Sequence, residues 1–172
     1  MLRKIILKKL ASVEKQLGES VDYLRHVVRV SLPAFFKFTK ILPISNYRKS
    51  LPAEAYHVAR IVATRDEDCG ACVQIEVNSA RQSGINKDIL QAVLTETPED
   101  LPEELANVYR FAEAVVKATS EDEPLRRRIR DAYGEEGLVE LSLAIASCRF
   151  FPIMKRTLGY SKSCKLVEIE YE

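Results

Sequence analysis

The sequence predicts an all-α protein, and three observations carry that prediction. Apolar residues recur at three- and four-residue spacing along most of the chain, Gly, Pro and Ser stand where helices would start or stop, and no stretch before the C-terminal tail alternates with period two. Leu2, Ile5, Ile6, Leu10, Val13 and Leu17 form a first stripe, closed by Gly18. Ser20 caps a second helix on Val21, Leu24, Val27 and Val28; Ser31 with Pro33 starts a third through Phe38, and Pro43 ends the section. Ser50 and Pro52 open a helix with Ala55, Val58, Ala59 and Val62 inward, running to about Thr64. Asp68 is the expected N-cap of a helix from Cys69 to Ser83, stopped by Gly84. A short helix follows from Asn86 or Lys87 to Leu94. After the breaker run 97–102 comes a long helix with Leu105, Val108, Ala112, Val115 and Val116 inward. Pro124–Tyr133 and Leu138–Phe151 give two further helices separated by Gly134 and Gly137, and Pro152 should kink or end the last of them. The tail, Cys164–Glu172, fits a short strand or an extended arm.

With 172 residues, nearly half of them apolar, the chain can bury one sizeable core, so a single structural unit is expected. The net charge of +1 argues against a protein that works through a global field on nucleic acid. It hides an asymmetry: residues 1–49 carry +8 and the remainder −7, so the two parts could attract each other, although solvated basic helix faces explain the same pattern. Ile5-Ile6-Leu7 is too short for a secretory signal and no uncharged apolar run reaches about 20 residues, which points to a cytoplasmic protein without a membrane span. Four cysteines in such a chain suit catalysis or metal binding better than a disulfide scaffold.

The segment Asp68-Cys69-Gly70-Ala71-Cys72-Val73-Gln74-Ile75-Glu76 sets two thiols one helical turn apart at a helix start. Unpaired N–H groups and the positive dipole end stabilise a thiolate there, and a thiolate is what attacks a peroxide or disulfide. Zinc would need two more ligands at suitable spacing, and neither Cys148, in the most apolar segment, nor Cys164, in the tail, is part of a second close pair. Cys148 reads as a packing residue among Ala144, Ile145 and Phe151, and Cys164 is left unassigned. A thioredoxin-like frame is excluded by the absence of a preceding strand. The motif calls for no cofactor or metal.

From Pro52 to Gly84, and again from Leu141 to Gly159 with its Phe-Phe-Pro and Leu-Gly, the chain resembles the alkylhydroperoxidase AhpD-like (carboxymuconolactone decarboxylase) family. The likeness covers roughly residues 50–160. It implies an AhpD-like helical bundle over residues 50–172, with residues 1–49 as a helical extension packed on it, and a homo-oligomer, trimer or hexamer. By the same resemblance Cys72 attacks and Cys69 resolves. Family members usually carry a His four residues after the second Cys and a Glu twelve before the first. Here Glu76 and His57 occupy those positions, exchanged. Glu76, on the helix face of Cys72, would disfavour its thiolate, and His57 could offset that, so a relay of His57, Glu76 and the cysteines is expected. His26 has no motif around it and reads as surface or interhelical packing.

The leading expectation is a thiol-dependent peroxidase or disulfide oxidoreductase acting on a small peroxide or disulfide, recycled by a thiol reductant. Two others stand beside it: acid–base chemistry on a small lactone or keto acid through His57 and Glu76, and a non-catalytic redox-sensing oligomer.

Overall fold

A computed structural model of the chain describes residues 1–161, 167 and 169. Its regular structure is helical, with no strand among the described residues. The order is α1 (Leu2–Leu17), α2 (Asp22–Val30), α3 (Leu32–Phe38), α4 (Ile41–Ser45), α5 (Ala53–Arg65), α6 (Gly70–Gln82), α7 (Lys87–Leu94), a 3-10 turn at Pro98–Asp100, α8 (Glu103–Lys117) and α9 (Asp122–Thr157). Cys164 and most of the tail expected as a strand or arm lie outside the described residues.

Local chemistry explains most of these boundaries. Gly18 takes a left-handed conformation (φ 71) and donates its N–H to Glu14 O, closing α1. The Ser31 hydroxyl accepts from Ala34 N–H, and the Asn86 side chain from Asp88 N–H. The second helix starts one residue later than expected, with Val21 as its N-cap, because Glu14 accepts the Val21 N–H while Ser20 accepts that of Asp22. Pro43 does not end the section but sits in the first turns of α4, where a missing donor costs nothing.

Two expectations about breakers are corrected. Asp68 is not the N-cap of α6; it takes a left-handed conformation (φ 47), one that Asp tolerates better than most residues, and Cys69 becomes the N-cap. The two expected C-terminal helices are present, divided by non-helical backbone at Gly134 (φ 70, ψ 178), so α9 is not one continuous helix. Nor does α9 end at Pro152. It runs on to Thr157 because Phe151, Met154 and Leu158 pack the last turns against the N-terminal helices, which outweighs the lost donor.

Nearly every residue of α5 is buried, which is what a helix at the centre of a bundle requires, and α6, α8 and α9 pack around it. Ala55, Ala59 and Ala63 lie at four-residue spacing and let neighbours approach closely. One stretch of α9 reaches a mean hydropathy of 1.5, enough by length and composition to cross a bilayer, and nearly half of it is buried in this bundle. A second apolar cluster is separate: Ile6, Leu10, Tyr23, Leu24, Val28, Phe35 and Phe38 of α1–α3 pack with the end of α9.

Glu140 ties the two parts together. Buried in α9, its carboxylate accepts the N–H groups of Lys49, Ser50 and Leu51 and the Ser50 hydroxyl at 2.9 to 3.1 Å. Burial would raise its pKa, but these donors hold it down at about 2. Stability from this carboxylate is therefore present above about pH 4.5 and is lost as the pH falls through about 2. Glu140→Ala leaves three N–H groups unpaired and should cost about 2–4 kcal/mol in urea denaturation at neutral pH; a change within error would show that water serves those groups equally well.

Candidate functional site

The thiols sit at the seam between the two clusters and belong to neither. Cys69 and Cys72 are 1% and 6% exposed, and their Sγ atoms lie 2.8 Å apart in hydrogen-bond contact. Cys69 O accepts the N–H groups of Cys72 and Val73, so the pair spans the first turn of α6. Both cysteines are free thiols, as is Cys148.

The two sulfurs do not share charge equally. The hydrogen bond shared with Cys72 lowers the Cys69 thiol below its ordinary value against the pull of burial, helped by the Cys72 backbone N–H, the Lys155 ammonium and the Ser161 hydroxyl. The Cys72 thiol moves the other way, because its proton is held by Cys69 and because it is buried. The directions favour Cys69 as the sulfur that ionises first, whereas the family resemblance puts the attacking sulfur at Cys72. Tyr23, from α2, feels the same negative charge: burial first, and then the two cysteines, raise its phenol.

What holds this turn in place is an acid two residues upstream. Glu67, 5% exposed, accepts Arg149 Nε at 2.6 Å and reaches Arg156 at 3.5 Å. Both arginines lie on α9, and between them Lys155, 6% exposed, acts on both sulfurs with its charge. On its far side α6 meets the N-terminal helices, where Asn78 Nδ2 donates to Leu17 O at 3.0 Å.

The expected relay is not assembled. Glu76 pairs with Arg60, whose Nε and Nη2 each reach a carboxylate oxygen at 2.7 Å, both side chains being buried. A guanidinium offers two parallel donors where an imidazole offers one, and the fork wins the carboxylate. Arg60 also donates to Ser45 O and Oγ at 2.8 and 2.9 Å and stacks over Tyr56, whose hydroxyl donates to the same Ser45 carbonyl. His57 instead places Nε2 3.0 Å from Ser83 Oγ, and its buried Nδ1 has no hydrogen-bond partner among the described residues. Burial lowers its pKa to about 4, so the ring is neutral near pH 7.

The structure thus brings Cys69 and Cys72 together, keeps Glu76 on the same helix face, and turns His57 elsewhere. Cys148 is a packing residue: burial raises its thiol to about 12, and its sulfur donates to Ile145 O. His26 lies between helices, with Nδ1 3.2 Å from the Tyr160 hydroxyl. Among the described residues no three His, Cys, Asp or Glu side chains converge as a metal site would require. Arg60, Glu67 and Lys155 were missed from the sequence. For Arg60 and Lys155 the available signal was a charge beside apolar neighbours, since such residues are buried only with partners, whereas Glu67 lies in the charged run 65–68 and carried no such signal.

No known protein family, characterised protein or solved structure matches the chain. Its function must be read from the residues themselves.

Two outcomes test the site's electrostatics. Arg60→Met alone should cost about 3–5 kcal/mol by leaving Glu76 buried and unpaired, and Arg60→Met with Glu76→Met markedly less than the sum of the single changes; additive losses in urea denaturation would show that the two charges are not coupled. Because the folded-state pKa of His57 is depressed from 6.5 to about 4, its contribution to stability is intact above pH 6.5 and is lost as the pH falls through 4. His57→Gln should remove that part of the acid sensitivity, up to about 3 kcal/mol, visible as urea midpoints that change less between neutral and mildly acidic buffer.

Proposed function

We propose that the chain is a thiol-dependent oxidoreductase that reduces a small hydroperoxide or disulfide through Cys69 and Cys72 and is recycled by an external dithiol. One observation carries this reading: two free thiol sulfurs 2.8 Å apart, in hydrogen-bond contact at the first turn of a helix. A small movement separates that spacing from the about 2.05 Å of a disulfide bond.

In the proposed reaction the Cys69 thiolate attacks a peroxide oxygen, the O–O bond breaks, and the departing alkoxide takes a proton to leave as alcohol. Cys69 is left as a sulfenic acid. Cys72 then attacks the Cys69 sulfur, its proton leaves with the hydroxide as water, and a disulfide forms. The peroxide gains two electrons and the thiol pair loses two, which the dithiol restores. Lys155 favours the thiolate at the start of the cycle, and Arg60 restrains the Glu76 carboxylate that would oppose it. The AhpD-like resemblance extends the proposal to a bundle of that type assembled as a trimer or hexamer.

Burial favours a second reading, a redox sensor. Sulfurs only 1% and 6% exposed admit an oxidant slowly, which suits a device that changes state once rather than turning over. The acid–base reading has no comparable support, because Glu76 is engaged by Arg60 and His57 faces Ser83.

Thiol trapping with mass spectrometry, before and after one equivalent of hydroperoxide, should show Cys69 and Cys72 passing together into a dithiothreitol-reversible disulfide while Cys148 stays unlabelled in the native state. Cys69→Ser should abolish peroxide consumption, and Cys72→Ser should stop after one turnover with a trappable sulfenic acid at Cys69. Persistence of both thiols in the reduced form would end the redox reading, and stoichiometric oxidation without turnover would select the sensor.

A further inference from the structure

On the face formed by α2, α3 and the end of α9, an open groove of about 460 Å³ is walled by Val27, Val30 and Ala34 on one side and Phe150, Ile153 and Met154 on the other. Its rim is apolar and unsheltered: Val30, Phe150 and Ile153 are 68%, 40% and 48% exposed. Single exposed apolar residues are ordinary, but several sharing one groove mark a contact surface.

Charge identifies the partner. On α2 and α3, which supply one wall, Arg25, Arg29 and Lys37 stand against the single acid Asp22, with Arg25 engaged by Glu14 and Asp22, and residues 141–161, which supply the other wall, hold Arg149, Lys155 and Arg156 and no acid. Arg149 and Arg156 are engaged by Glu67. Arg29, next to Val30, and Lys37, one turn beyond Ala34, are exposed and form no ion pair with another described residue. The exposed charges left without an ion pair beside the groove, Arg29 and Lys37, are both cations flanking an apolar centre. A symmetric contact with a second copy would set these cations against one another. An anionic bilayer fits both features, since it takes apolar side chains into the headgroup boundary and pairs cations with phosphate.

We propose that this face docks the protein on an anionic lipid bilayer, with Val30, Phe150 and Ile153 entering the headgroup boundary and Arg29 and Lys37 lying against lipid phosphates. The proposal is independent of the thiol chemistry.

Co-sedimentation of the full chain with phosphatidylcholine vesicles, with and without phosphatidylglycerol, tests it. The chain should pellet with the phosphatidylglycerol vesicles only, and should be released when salt rises from about 0.1 M to about 1 M, which shortens the screening length from about 10 to about 3 Å. Val30→Asp with Ile153→Asp, and separately Arg29→Glu with Lys37→Glu, should each weaken binding by about tenfold or more, with the helical circular dichroism and the thiol-trapping pattern of the parent. Failure to pellet with either vesicle would overturn the proposal, as would variants that bind like the parent. Self-association abolished by Ile153→Asp, without vesicle binding, would overturn it too and give the face to a second copy of the chain.

Discussion

The buried pair of Arg60 and Glu76 is the constraint on which the placement of the thiol helix depends. A guanidinium and a carboxylate taken out of water are tolerated only when each is paired and its remaining donors are met, and here Ser45 meets them. The result is a junction of α4, α5 and α6 that admits little rotation of α6 about its axis. Cys72 lies one turn before Glu76 on the same face, so fixing the carboxylate fixes the direction in which that sulfur points. The same pairing limits the damage that Glu76 does to a thiolate, because a carboxylate facing Arg60 presents less net charge to its other neighbours.

A thiolate under so little solvent needs compensation of its own, and α9 provides it. Glu67 anchors the turn before Cys69 to Arg149 and Arg156, and that anchorage sets Lys155 where its charge acts on both sulfurs. The asymmetry within the pair then follows from position along the helix. Cys69 is the N-cap, at the positive end of the helix, while Cys72 is already inside it, and the two sulfurs share one hydrogen bond.

Much of this was legible in the sequence, and what was not has a common cause. Helix positions follow from periodicity and from caps such as Gly18, Ser31 and Asn86, which act within a few residues of themselves. The thiol pair was legible for the same reason, as two cysteines on one turn. The relay was not, because offsets along the chain state which residues could meet but not which partner wins. Glu76 had His57 and Arg60 within reach on the same neighbouring helix, and the bidentate donor took it. Pro152 misled in a related way: its local effect is real, yet contacts of Phe151 and Met154 with residues more than a hundred positions away decide whether the helix continues.

Those distant contacts also explain why the thiols are covered. Residues 1–49 read from the sequence as an appendage, and their apolar residues do form a cluster of their own, but that cluster is completed only by the last turns of α9. Since the Glu67 anchorage fixes the same turns against the thiol helix, α9 acts as a common wall: one side faces the sulfurs through Lys155 and the other supports the extension through Met154 and Leu158. A shift of the extension relative to α9 therefore cannot leave the Cys69 environment unchanged, because Tyr23 would move away from the sulfurs as Met154 lost its packing. The cover over the thiol pair and the packing of the N-terminal cluster are in this fold parts of one arrangement, joined through Tyr23 and the last turns of α9.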